Sequence, residues 1–196
     1  MVYGRVNLEL IFVGRSNVGK STIFSSLFNV KVRRGKKPGT TINPNYYQYK
    51  DFLATDLPGF GYIQGVSRDF NERIKDFIVR YIEDNAKRIF AAVHVIDSKA
   101  FLEIVRRWDS RGYIPIDVEM VDFLKDVGIE VVIAANKMDK VENVEETLRN
   151  ISEITKVEVD NVIPTIAKKG EISLLKRKLR ELVLKQRRAD LLKIFK

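Results

Sequence analysis

Three short apolar runs dominate the pattern along the chain, at residues 8–13, 89–96 and 131–135. Each is nearly continuous rather than alternating, which suits a central strand of a parallel sheet covered on both faces. Between them, apolar residues recur at helical spacing over 18–28, 68–85, 117–127 and 144–155. Residues 46–50 and 52–55 are adjacent and read as a hairpin, and 162–165 as a last strand. Near the C-terminus Ile172, Leu175, Leu179 and Leu182 form one stripe of a helix spanning about 171–193, which should pack on the sheet. This order predicts an α/β fold: one domain with a mostly parallel six-stranded sheet, one antiparallel strand and helices on both faces. Residues 98–115 fit the alternation poorly. They hold Arg106, Arg107 and the single Trp, Trp108, and are expected to form an irregular or partly helical insertion, either a packed surface loop or a docking segment.

Composition narrows the chemistry. The 196 residues include no Cys and one His, His94, so a disulfide scaffold, a thiol nucleophile and a histidine-based triad or metal cluster are excluded. No apolar run approaches the roughly 18 residues that span a bilayer, and the N-terminus lacks a signal-peptide pattern. A cytoplasmic, monomeric protein with no membrane partner is therefore expected.

The net charge of +9 is unevenly placed. Residues 1–50 carry nine bases and one acid, 51–167 fifteen bases and twenty-two acids, and 168–196 eleven bases and three acids. Two basic ends on a mildly acidic body suit a polyanion partner, although a charged, soluble surface would produce the same count. Five bases fall within 31–37. RNA contact would use them, and a solvated loop would also tolerate them.

The strongest chemical signal follows the first strand. Gly14, Arg15, Ser16, Asn17, Val18, Gly19, Lys20 and Ser21 match G-x-x-x-x-G-K-[ST], a phosphate-binding loop. The glycines allow successive N–H groups to converge as an anion nest, and the following helix adds the positive end of its dipole. The Lys20 ammonium suits the β- and γ-phosphates, and the Ser21 hydroxyl suits Mg²⁺. After the hairpin, Asp56, Leu57, Pro58 and Gly59 form D-x-x-G. Asp56 would hold Mg²⁺ through a water, and the Gly59 N–H would bond the γ-phosphate.

Asn136, Lys137, Met138 and Asp139 close the third apolar strand as N-K-x-D. The Asp139 carboxylate can accept from both N1–H and the 2-amino group of guanine. Adenine offers neither donor, so ATP would leave that carboxylate unpaired, at a cost on the order of 2–5 kcal/mol. Asn136 can tie this loop to the phosphate loop, and the Lys137 stem can cover the base. A small-molecule kinase is the competing P-loop reading, and Asp139 argues against it.

GRSNVGKS at 14–21, KKPGTT at 36–41 and DLPGFGY at 56–62 together resemble the EngB (YihA/YsxC) family, in the Era-like branch of the P-loop GTPases. The resemblance runs from about residue 8 to 184. It implies a G domain that binds GTP and GDP with Mg²⁺ and hydrolyses GTP. It also implies a role in large ribosomal subunit assembly and a link to cell division and septation. By the same resemblance Thr41 would be the switch ligand to Mg²⁺, with Gly39, Thr40, Thr41, Ile42 and Asn43 passing over the γ-phosphate. Thr165, Ile166, Ala167 and Lys168 would form the guanine loop. Ile166 departs from the usual serine, so the Ala167 N–H would serve guanine O6 through the main chain. The insertion and long C-terminal helix would mark an archaeal subgroup.

Phe60 occupies the place where many GTPases carry a water-orienting Gln. Hydrolysis is then slow until a partner completes the site, or until a cation does. Asn17 would hold K⁺ in that second case, and otherwise it is a turn residue suited to a left-handed backbone. Lys20, Thr41, Gly59 and Asn17 are the expected catalytic set. The alternative to an enzyme is a GTP-gated module that binds RNA or a division protein and hydrolyses negligibly.

Overall fold

The computed structural model describes residues 4–32, 43–61, 67–109 and 112–196. The chain runs β1 (Leu8–Gly14), α1 (Lys20–Phe28), β2 (Asn45–Tyr49), β3 (Phe52–Asp56), α2 (Arg68–Asn85) and β4 (Ile89–Asp97). It continues α3 (Ser98–Asp109), α4 (Ile116–Asp126), β5 (Glu130–Asn136), α5 (Val144–Thr155), β6 (Val162–Pro164) and α6 (Ser173–Lys185), and ends in a 3₁₀ stretch, Ala189–Phe195. The six strands lie in the order β2-β3-β1-β4-β5-β6. Every pairing is parallel except β2 with β3.

Alternate residues of the central strands feed two separate cores, as period-two geometry requires. Leu10 and Phe12 of β1 enter one cluster with Phe24, Phe28, Leu175, Leu179 and Phe195, so α1, α6 and the C-terminal 3₁₀ stretch cover that face. Ile11 and Val13 enter the other with Ile74, Ile78, Phe101, Leu124 and Ile151, from α2 to α5. The expected three-layer α/β architecture is present.

Of the two readings of 98–115, irregular or partly helical, the helical one holds over 98–109, which form the regular helix α3. Phe101 is buried, and Leu102 and Val105 pack on the same core, which is a helical stripe. The Asp97 carboxylate accepts from the Ala100 N–H at 3.3 Å and starts that helix. At the other end, α6 stops at Lys185 instead of continuing to 193. Arg187 adopts φ 57°, the chain turns back, and Leu191 and Phe195 are buried as a 3₁₀ stretch. The Arg188 guanidinium holds this return by donating to Asp51 at 2.8 Å and to Asp190 at 2.9 Å.

A buried carboxylate ties the base of the sheet to α2. Glu9 accepts from Thr55 at 2.5 Å, Tyr81 at 2.6 Å and Arg88 at 2.7 Å. Three donors replace the water that burial removes. Burial beside this carboxylate also pushes the Tyr81 phenol well above its usual range.

Candidate functional site

The motifs separated along the chain meet at the carboxyl ends of the parallel strands, beside the point where the strand order reverses around β1. Residues 14–21 follow β1, residues 56–59 end β3, Asp97 ends β4, Asn136 ends β5, and Thr165 follows β6.

The phosphate loop ends in a helix start without a side-chain cap. Gly19 sits before α1 at φ 100° and makes no capping hydrogen bond, so helix N–H groups there are not engaged by a cap side chain. A Cβ at Gly19 would lie 2.2 Å from the Asn136 amide nitrogen, so only glycine fits this approach. That approach is used: the Asn136 amide donates to the Val18 carbonyl at 2.8 Å. On its other side Asn136 accepts from the Ala167 N–H at 3.0 Å and the Thr165 hydroxyl at 3.3 Å. One carboxamide therefore joins the phosphate loop, the N-K-x-D loop and the loop after β6. The Ala167 N–H that was expected for guanine O6 donates to Asn136 in this arrangement.

Ile166 explains its own departure from serine. Its side chain packs against the α2–α5 core, while its N–H and carbonyl pair with Glu171 at 3.0 and 3.2 Å. The loop after β6 is thus held through its main chain. Asp139 and Lys168 are exposed at the rim.

Lys137 adopts φ 62° and donates to the Asn17 carbonyl at 3.0 Å and the Asp97 carboxylate at 2.6 Å. Its stem is thereby stretched along the edge where a base would stack. Asp97 was missed by the motif reading, as was Ser98, whose hydroxyl donates to the Asn136 carbonyl at 2.9 Å. A usable signal was present. Asp97 ends its apolar strand as Asn136 ends the next one, and the sheet register pairs the two.

Asp56 is buried among three donors. The Lys20 ammonium binds one carboxylate oxygen and also the Leu57 carbonyl. The Ser21 hydroxyl at 2.8 Å and the Asn45 amide at 3.1 Å bind the other. Ser21 and Asp56 are hard oxygen donors side by side at the end of the phosphate loop, the donor set that Mg²⁺ selects. Asn45, at the start of β2, is a third residue here that the motifs did not name.

The D-x-x-G segment lies directly on the phosphate loop. A Cβ at Gly59 would come within 2.9 Å of the Ser16 backbone. The Ser16 N–H donates to the Phe60 carbonyl at 3.1 Å, and the Phe60 N–H to the Gly14 carbonyl at 3.3 Å. The Phe60 ring is buried, edge-on to His94 with centroids 5.9 Å apart. His94 in turn lies 3.0 Å from buried Asp117. Phe60 is therefore a core residue, and its side chain has no means of orienting water.

Asn17 is exposed at φ 66°, which fits the turn reading of that residue. Asn43 is exposed before β2. Gly39, Thr40, Thr41 and Ile42 lie outside the described residues. Among the basic residues of the C-terminal region, Arg188 is committed to Asp51 and Asp190, and Lys185 pairs with Glu130 at 3.0 Å. The C-terminal region is thus less freely basic than its charge count implies.

Residues 9–137 match the family described as 50S ribosome-binding GTPase. The chain is 53% identical over 194 residues to the probable GTP-binding protein EngB of Archaeoglobus fulgidus, covering 96% of this chain and 98% of that one. It is 51% identical over 196 residues to the probable GTP-binding protein EngB of Methanosarcina mazei, covering 96% and 94%. A crystal structure of a probable GTP-binding protein EngB superposes with a TM-score of 0.82 at 43% identity, covering 90% of this chain and 99% of the other. No helix among the described residues is long and apolar enough to cross a membrane.

Proposed function

The chain belongs to the EngB family of GTP-binding proteins, and we propose that it acts as a cytoplasmic, monomeric, single-domain switch that hydrolyses GTP and works on ribosomal particles during large-subunit assembly. The observation that carries this reading is the single carboxamide of Asn136, which holds the phosphate loop and both base loops in one unit. In this reading the Asp139 carboxylate and the Lys20 ammonium serve one ligand, a guanine nucleotide with a polyphosphate.

Each residue has a role in the transfer of the γ-phosphoryl group to water. Main-chain N–H groups of the phosphate loop and the start of α1 bind the phosphates. Lys20 moves its ammonium from Asp56 toward the β- and γ-oxygens, where charge builds as the bond breaks. The Gly59 N–H turns to the γ-phosphate, which requires the Phe60 main chain to leave Ser16 and Gly14. Ser21, Asp56 and, from the switch loop, Thr41 would hold Mg²⁺, whose charge offsets that of the phosphates. Loss of the γ-phosphate lets the segment after Gly59 return to the phosphate loop.

With Phe60 in the core, hydrolysis by the isolated chain is slow. A ribosomal partner, or K⁺ held by Asn17, supplies the missing stabilisation. The same burial of Phe60 favours a second reading, a GTP-gated RNA- or division-protein-binding module with negligible turnover. The link to cell division and septation is part of the proposal, without a residue assigned to it. Cosedimentation with ribosomal subunits across KCl concentrations tests the proposal. Binding is expected to be tighter with a non-hydrolysable GTP analogue than with GDP, and equal binding in the two states sinks the switch. Turnover with and without subunits separates the two readings.

A further inference from the structure

The structure brings Lys50 beside the basic C-terminal end of the chain. The C-terminal return sets Phe195 against Phe28 at the end of α1, with centroids 6.0 Å apart, and Lys31 follows three residues later. Phe28 stacks on Tyr47 of β2 at 4.6 Å. One residue past that strand, Lys50 turns with φ 53° beside a concavity of about 430 Å³. The same concavity is lined by Arg180, Asp190, Leu192, Lys193 and Lys196. Lys176 joins this edge by donating to the Lys196 carbonyl. Among the described residues Asp190 is the one acidic side chain in the lining, and it is already held by Arg188 at 2.9 Å and Lys50 at 3.5 Å. Leu8 of β1 pairs with Phe52 here, so this is the amino-end edge of the parallel strands, opposite the nucleotide edge.

We propose that this concavity is a docking surface for the sugar-phosphate backbone of structured RNA. The proposal rests on the ribosomal reading above and adds where the contact is made. Charge complementarity points to a polyanion, since Lys50, Arg180, Lys193 and Lys196 converge on one hollow. None of the exposed large apolar side chains among the described residues lines it, so an anionic membrane would find no wedge. The nearby aromatic ring is already covered: Lys193 and Lys50 lie 4.8 and 5.6 Å from the Tyr49 centroid. Base stacking is therefore not what this surface offers, and recognition is by phosphate and shape. Because the hollow lies at the edge of the sheet opposite the nucleotide loops, it serves in the GTP and GDP states alike.

The test uses the full chain and a fluorescein-labelled 24-nucleotide RNA hairpin, with anisotropy read from 50 to 200 mM KCl. Lys50→Glu, Arg180→Glu and Lys193→Glu combined should weaken binding at least thirtyfold at 100 mM KCl. The combined change should also flatten the log–log salt slope by about two to three units, equally with GTP analogue and GDP. The matching Gln triple should give an intermediate loss, and GTP affinity should stay unchanged in both, which reports an intact fold. Lys140→Glu with Lys156→Glu, on the opposite face of the sheet, should bind as the parent does. Wild-type affinity and slope in the Glu triple overturn this surface while leaving the ribosomal reading standing. Failure of the parent protein to bind the hairpin at 50 mM KCl overturns the surface, and absent subunit cosedimentation would then take the ribosomal reading with it. Vesicles of 70% phosphatidylcholine and 30% phosphatidylglycerol that displace the RNA stoichiometrically would assign the hollow to a membrane instead.

Discussion

The Asn136 amide donates to the Val18 carbonyl at 2.8 Å, across 118 residues of sequence. Through this bond the N-K-x-D loop and the G-x-x-x-x-G-K-S loop share one frame.

Removing that bond should cost both stability and nucleotide affinity. Asn136→Ala orphans the Val18 carbonyl and the Ala167 N–H, at about 1–3 kcal/mol each when buried. We expect GDP affinity to fall at least thirtyfold, read by titration with a fluorescent GDP analogue. Affinity within threefold of the parent would show that the loops hold their places without the carboxamide.

Guanine selectivity should reside in Asp139. Asp139→Asn replaces an acceptor-only carboxylate with an amide that suits xanthine. Competition binding is expected to shift by about two orders of magnitude from GTP toward XTP, in line with the loss of a charge-assisted pair. Unchanged GTP affinity in the variant would remove Asp139 from base recognition.

The monovalent-ion role of Asn17 has its own signature. Turnover of GTP should be several-fold faster in KCl than in NaCl at equal ionic strength, and Asn17→Ala should erase the difference. Equal rates in the two salts for the native protein would leave Asn17 as a left-handed turn residue.

The C-terminal clamp should show in the pH dependence of unfolding. The Arg188 guanidinium lowers the Asp190 carboxyl to about 2, and hydrogen bonds from Asn7 and Arg188 lower Asp51. Both groups bind protons more weakly folded than unfolded. Their contribution is therefore complete above the ordinary carboxylate range near pH 4 and is lost as pH falls toward 2. Thermal melts of Arg188→Ala should be lower than the parent's at pH 6 and converge with it near pH 2. A gap that stays constant over that range would mean that Arg188 acts by packing alone.

Some of this protein was legible before any fold was known, because local chemistry demands it. A phosphate nest needs glycines and a lysine at set spacings, so residues 14–21 announce themselves. A strand buried on both faces needs an apolar run, so β1, β4 and β5 were readable. The stripe of Ile172, Leu175, Leu179 and Leu182 is buried as its period requires. Helix α3 was harder to see because its stripe is short and interrupted by charge, and only the core that it covers makes Phe101 an inward residue.

What no spacing along the chain contains is which distant groups end up facing one another. Asp97 carries no motif, yet the register of β4 against β5 sets it beside Asn136 and hands it Lys137. Arg188 looked like one more surface base, and the reversal at Arg187 turned it onto Asp51. The +8 blocks at the two ends are properties of sequence. That Lys50 of the first block meets Arg180, Lys193 and Lys196 of the second at one edge depends on the C-terminal return, which buries Phe195 beside Phe28. Spacing encodes chemistry within a few residues, where the backbone fixes distance. Contacts across a hundred residues are set by sheet order and core packing, which exist only once the whole chain has closed.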